Sequence, residues 1–361
     1  MSNAGPTEVV DWDAAEDFAF HMMPPGPKAE RSELVALVSG LRQAAADAVD
    51  PVLNTTRLEP VGGLAAMGTT HVVDRITWAK ANLEVMAATT ANVGDTLAAA
   101  GETSTLAGRL GAAAEMAGVL TMLAPRVLGQ FDPYSADPGR LLLVAPNVLA
   151  TERKFGVNPI DFRLWVCLHE QTHALQFAST PWLAPHLLSQ ITSLLDAVTA
   201  RAVELAGANW FTQMRAAMKT VRSLVAGALS SEGPAPFERL LGHEQRDLLS
   251  KITATMSLVE GHADVIMDDV GPEVVPSVAQ IRAKFERRRS GEGAPRSDVI
   301  LRRLMGMESK LSQYRDGAKF VREVEEKVGR DGFNAIWAGA DMLPTAVEIA
   351  DPAAWVKRVH G

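Results

Sequence analysis

The reactive residues of this 361-residue chain concentrate in one stretch, Leu164-Trp165-Val166-Cys167-Leu168-His169-Glu170-Gln171-Thr172-His173-Ala174-Leu175-Gln176-Phe177. It contains His169-Glu170-x-x-His173. On a helix, residues four apart lie one above the other, so both imidazoles face a common space with the carboxylate beside them. Imidazole is a common zinc ligand, and a carboxylate next to the metal can take a proton from water. The pattern reads as a zinc site with its own base, Glu170. The alternative reading is two hydrogen-bonded core histidines at an accidental spacing.

The helix itself is expected without the motif. Asn158 is a good N-cap, Pro159 suits the first helical position, Asp161 puts a negative charge in the first turn, and Pro181 ends the element. Leu164, Trp165, Val166, Leu168, Leu175 and Phe177 make it apolar on most sides, which predicts a helix buried in the middle of a domain. Two histidines and a glutamate in such a helix are costly unless paired or metal-bound.

Catalytic zinc takes three protein ligands and leaves a fourth position open, so a third donor is needed. A metzincin pattern would place Gly at 176 and His at 179, but the chain has Gln176 and Ser179. The strongest remaining donor is Glu260, in Met256-Ser257-Leu258-Val259-Glu260-Gly261-His262-Ala263-Asp264. His262 is the rival, though it lies about 200° from Glu260 around a helix axis. Glu260 and Asp264 are four apart on one helical face, which resembles the arrangement in thermolysin-like gluzincins. That resemblance implies Glu260 as ligand and Asp264 as the hydrogen-bonding orienter of His169. The departure is the roughly 90 residues between the two helices, which a long helical insertion would explain.

A wider resemblance rests on Val127-Leu128-Gly129-Gln130-Phe131-Asp132-Pro133, Gly139 through Asn147, Phe162 through His173, Glu260-Gly261-His262, Gln313-Tyr314-Arg315-x-Gly317 and Leu343-Pro344. From about residue 60 onward the chain resembles a bacterial family of zincin-like zinc metallohydrolases, often labelled as associated with biosynthesis of a deazaflavin coenzyme. The resemblance implies a zincin-like fold, a Zn2+ cofactor and hydrolase chemistry. Tyr314 and Arg315 then become candidates for stabilising an oxyanion. The alternative is a Tyr314 ring packed in the core and an Arg315 paired with an acid.

Composition sets the frame. Hydrophobic residues are 47% and charged residues 22%, as in a globular protein with ample core. A net charge of −8 argues against nucleic-acid binding. No stretch approaches about 18 uninterrupted apolar residues, so no membrane span is expected. The opening residues lack the order of a secretory leader, and the single Cys167 excludes an internal disulfide, so a reducing, cytoplasmic setting is expected.

Along the chain, a short helical arm ends in the turn at Met22–Pro27. Amphipathic helices are expected over Ser32–Val49 and His71–Ala91, and a buried helix over Gly111–Leu128. Arg140–Ala145 is the best strand candidate. It is expected either as an edge that could hold an extended peptide across the metal or as a plain buried strand. Asn147 could cap a short helix ending at Gly156. A long helical region follows over Pro185–Leu229, then a linker at Gly233–Pro236. His243-Glu244 reads as surface, and the basic run Arg282–Arg289 as leading into a solvated loop at 290–295.

Together these predict a mainly α, zincin-like α+β protein with a small sheet. A helical N-terminal lobe (1–130) would precede a catalytic lobe (131–361), with the two possibly forming one unit. The expected activity is zinc-dependent hydrolysis of an amide, with a peptide or a small amide or ester as substrate. An inactive binding or assembly protein is the rival from another class.

Overall fold

The computed structural model describes residues 8–99, 104–206, 242–289 and 307–361; within these, the side chains of 202–206, 286, 288–289 and 307–315 are outside the description. The expectations at 207–229, Gly233–Pro236 and 290–295, and for the side chains of Tyr314 and Arg315, fall outside the described residues.

The chain opens with α1 (Trp12–Met22), α2 (Arg31–Asp47) and α3 (Val49–Thr56), followed by β1 (Thr69–Val73), α4 (Arg75–Ala99) and α5 (Leu106–Leu123). Then come β2 (Gly129–Asp132), β3 (Arg140–Val144), α6 (Ala145–Phe155), α7 (Pro159–Ser179) and α8 (Leu183–Ala206). The final described elements are α9 (His243–Asp269), α10 (Gly271–Val274), α11 (Val278–Arg289), α12 (Met307–Phe333), α13 (Ala346–Ala350) and α14 (Pro352–His360). The fold is mainly α with one small sheet, as the sequence predicts.

That sheet has the order β1-β3-β2, with β1 parallel and β2 antiparallel to β3. Arg140–Val144 is therefore the central strand, paired on both sides. The edge reading of this strand is corrected, and the edge beside the motif helix is β2. Thr69–Val73 belongs to the sheet rather than to a helix beginning at His71, because its β-branched run suits a pleated strand better than a helix start. The boundary expected near residue 131 falls inside this sheet, which draws β1 from before it and β3 from after it.

Side chains along β3 alternate between two cores. Leu141 and Leu143 join a large cluster containing Phe162, Trp165, Leu168, Leu175, Leu258, Phe320 and Trp355. Leu142 and Val144 join a smaller, alanine-rich cluster from α1, α4 and α5. Here α5 buries the stripe Ala113, Ala117 and Leu120, with Ala124 just beyond it, against its neighbours. The expectation of a buried helix holds for that one stripe and is corrected for the rest of α5. The helical stretch Leu106–Arg126 is long and apolar enough to cross a membrane by length and composition, and only 17% of its apolar window is buried.

Asn147 does not cap α6 but lies inside it. Its side chain accepts from Arg75 Nε at 2.7 Å and donates to the carbonyls of Ala124 and Val127. It satisfies main-chain groups that burial would otherwise strand.

Candidate metal centre

The motif helix α7 begins as its sequence dictates. Asn158 Oδ1 accepts from the N–H groups of Ile160 and Asp161, and Pro159 occupies the first turn. The far side of the helix is fixed by Gln171 Nε2, which donates to Ala45 O in α2, and by Cys167, which is fully buried. Burial, and then the Glu170 charge, push the Cys167 thiol far above its ordinary range. It is a packing residue, not a ligand.

α9 crosses α7 and α12. At the crossing with α12 two glycines permit backbone contact: a Cβ on Gly261 would lie 2.2 Å from Gly317 C, and one on Gly317 would meet Ser257 O. Only glycine allows so close an approach. It seats Glu260, the neighbour of Gly261, over the histidine pair.

His169 Nε2, His173 Nε2 and a Glu260 oxygen converge within 4.8 Å of one another. The separations are 3.1 Å between the two nitrogens, 3.5 Å from His169 to Glu260 and 3.7 Å from His173 to Glu260. A tetrahedral zinc with bonds near 2.0–2.1 Å needs ligand atoms about 3.3 Å apart. The donor set, two imidazoles and one carboxylate, and its spacing both fit that ion.

Burial lowers the His173 imidazolium, but the facing Glu260 carboxylate outweighs it and raises the ring to about 9. Burial raises Glu260 in turn, and His173 and His169 overcome this and hold it well below the usual carboxylate range. These groups are held largely by one another, and a divalent cation would take the place of the proton they share.

Glu170, on the same helix, is pushed upward by burial and by Glu260, against the pull of both histidines. β2 runs directly beside it. A Cβ on Gly129 would lie 2.6–2.8 Å from Glu170 Cγ, Cδ and Oε1. Two residues later Phe131 stacks on Phe177 at 5.7 Å. The edge strand thus follows α7 from the base to beyond the second histidine.

Asp264, expected to orient His169, is held by Arg282. Its Oδ1 accepts from Arg282 at 2.7 Å, and Arg282 also holds Asp268. The guanidinium thereby ties α9 to α11. Arg282, the first residue of the basic run, is absorbed by this pairing and by packing over Trp165. His262 is not among the three converging donors. It is fully buried, with Nδ1 facing Gln176 Nε2 at 3.0 Å. The residue that orients a ring of the pair is Gln176, whose Oε1 accepts from His173 Nδ1 at 2.9 Å. Its sequence signal was a buried amide three residues after a candidate ligand. For Gly129, the first residue of β2, the signal is the resemblance carried by Val127–Pro133 and nothing more local.

A cavity of about 530 Å³ opens past the C-terminal turn of α7, lined by Tyr134, Asp137, Phe177, Pro181 and Pro185 among others. Burial, then Asp132, push the Tyr134 phenol up to about 12. None of the three donors lines this cavity.

The chain matches the family model for zincin-like metallopeptidases over residues 10–356. It is also similar to a crystal structure from Chloroflexus aurantiacus described as a presumed hydrolase with a novel fold. The TM-score is 0.62 and the identity 26%, with 97% of this chain and 99% of that one covered. No curated protein matches the sequence.

Proposed function

Because the chain belongs to the zincin-like metallopeptidase family, we propose that it is a zinc-dependent hydrolase that cleaves an amide bond, with a peptide as substrate. The observation that supports this most is the convergence of His169, His173 and Glu260 next to the buried carboxylate of Glu170. A zinc ion held by these three residues would supply Lewis-acid polarisation and lower the pKa of water at its open position.

Glu170 is the base. Its raised affinity for protons suits it to accept one from the attacking water and deliver it to the leaving nitrogen. The edge strand β2 supports a peptide rather than a compact metabolite, since an edge offers backbone groups that an extended chain can pair with. In this reading the peptide lies along β2, past Gly129, where the missing side chain leaves Glu170 its room. The Tyr314 phenol is proposed to stabilise the oxyanion. Its helix touches α9 at Gly317, three residues further on.

The test is digestion of a peptide library by zinc-loaded protein, with new N-termini read by mass spectrometry. Wild type is expected to generate cleavages that Glu170→Gln loses by orders of magnitude while retaining zinc. Equal cleavage by both proteins would remove Glu170 as the base. Cleavage only of small amides or esters would assign the site to a metabolite, and no cleavage by zinc-loaded wild type would favour a binding role.

A further inference from the structure

The carbonyl of Val259 gives a fixed reference for every proton near His173. A carbonyl can only accept, so the Gln176 atom 2.9 Å from it is the amide nitrogen. The other amide atom, 2.9 Å from His173 Nδ1, is then the oxygen, which also only accepts, so Nδ1 carries a proton. When the ring is neutral its lone pair is therefore on Nε2, the nitrogen that faces His169 and Glu260. The same amide nitrogen lies 3.0 Å from His262 Nδ1, which must accept, so the His262 proton is on Nε2. His262 Nε2 has no hydrogen-bond partner among the described residues. It lies between aromatic rings, with centroids at 5.3 Å for Phe333 and 5.4 Å for Trp337, and ring faces accept an N–H weakly.

We propose that Gln176 and His262 are positioning residues for His173, forming a buried chain that holds the proton on Nδ1 and leaves the Nε2 lone pair directed at the metal centre. The chain spans three parts of the fold. Gln176 belongs to the motif helix, His262 and Val259 to α9, and the aromatic cage to the segment Phe333–Trp337. A reversed amide would present N–H to His173 Nδ1 and move the ring proton to Nε2, where it would occupy the lone pair a metal needs. Two acceptors, Val259 O and His262 Nδ1, oppose that reversal. The burial of His262 keeps water from substituting for it.

The tautomer claim stands on these contacts alone, whereas its consequence for the metal rests on the function proposed above. The test therefore has two readouts. The first is ¹⁵N NMR of the histidine rings in full-length, metal-free protein at alkaline pH, where the rings are neutral. The second is a zinc titration against a chelator at neutral pH. Wild type is expected to show the Nδ1–H form for His173 and the Nε2–H form for His262. Gln176→Met should give a mixed His173 tautomer and weaken zinc binding roughly 10- to 100-fold. His262→Phe, which keeps a ring in the cage, should shift both readouts in the same direction by less. A merely structural role would lower thermal stability and leave the tautomer and the zinc affinity unmoved. The proposal is overturned if wild-type His173 carries its proton on Nε2, or if Gln176→Met changes neither readout. Should Gln176→Met fail to fold, the wild-type tautomers and His262→Phe decide. A wild type that takes up no zinc would remove the proposed function, while the tautomers would still decide this inference.

Discussion

The two faces of β3 carry different kinds of core. On the side of Leu141 and Leu143, large side chains from α7, α9 and α12 interlock, and helix backbones touch at Gly261 and Gly317. On the side of Leu142 and Val144, α1, α4 and α5 meet largely through alanines, and much of α5 is only half-buried. The candidate metal centre sits in the first region. Three donors from two helices must be held to within a fraction of an ångström, and close packing with few voids provides that.

The contrast is sharpest at its glycines. Gly261→Ala would drive a methyl group into the α12 backbone, where neither side can yield, and should cost more than the roughly 1–3 kcal/mol of ordinary overpacking. Gly118→Ala in α5 meets no atom within 4 Å and should stabilise the helix by up to about 1 kcal/mol. Thermal or urea unfolding of both variants measures this. Equal effects would abolish the distinction between the regions.

Leucine truncations sharpen it further. Leu142→Ala and Leu143→Ala remove fully or nearly fully buried side chains from opposite faces of one strand, and each should cost about 2–5 kcal/mol. Only Leu143→Ala should also weaken zinc uptake in a chelator titration, because its face backs α7. Matching losses of zinc affinity in both variants would show that the sheet supports the site as a whole.

Acid stability should distinguish the regions as well. His262 in the first core is held down to about 3 by burial, then by Arg330 and His173. In the unfolded chain an imidazole titrates near 6.5. Below that pH the unfolded chain therefore binds a proton that the folded chain excludes. The His262 contribution to stability is complete above about pH 6.5 and is lost as pH falls toward about 3, by up to about 1.4 kcal/mol per pH unit. Urea unfolding from pH 7 to 4 should show this slope in wild type and a shallower one in His262→Phe. Identical slopes would mean another group governs acid unfolding.

The smallest effect expected is at Cys167, buried against Leu41 O with its thiol pushed far up. Native protein should resist alkylation by iodoacetamide until it is unfolded. Rapid labelling of folded protein would show that the first core opens more readily than its packing implies.

What was legible in the sequence follows the same division. The motif helix could be read because its cap, its apolar faces and its histidine spacing are all local. Glu260 needed a spacing argument and a resemblance, and the structure brings it to the histidines. The features that escaped depend on helices about 85 residues apart in sequence coming together, as Gln176 does with Val259 and His262. Four-residue spacing and the gluzincin resemblance point Asp264 toward His169, and no local pattern announces its pairing with Arg282 from α11. β1 merges in the sequence pattern with the helix after it, because a five-residue strand followed at once by α4 leaves little period to detect.

The proposed function requires that His169, His173 and Glu260 together hold one zinc. Elemental analysis combined with a chelator-competition titration of wild type, His173→Ala and Glu260→Ala tests it most directly. Wild type is expected to hold about one zinc per chain and both variants to lose affinity severely, since each removes one of three proposed ligands. Wild type that takes up no zinc on reconstitution, or a Glu260→Ala variant that binds zinc as tightly as wild type, would contradict it.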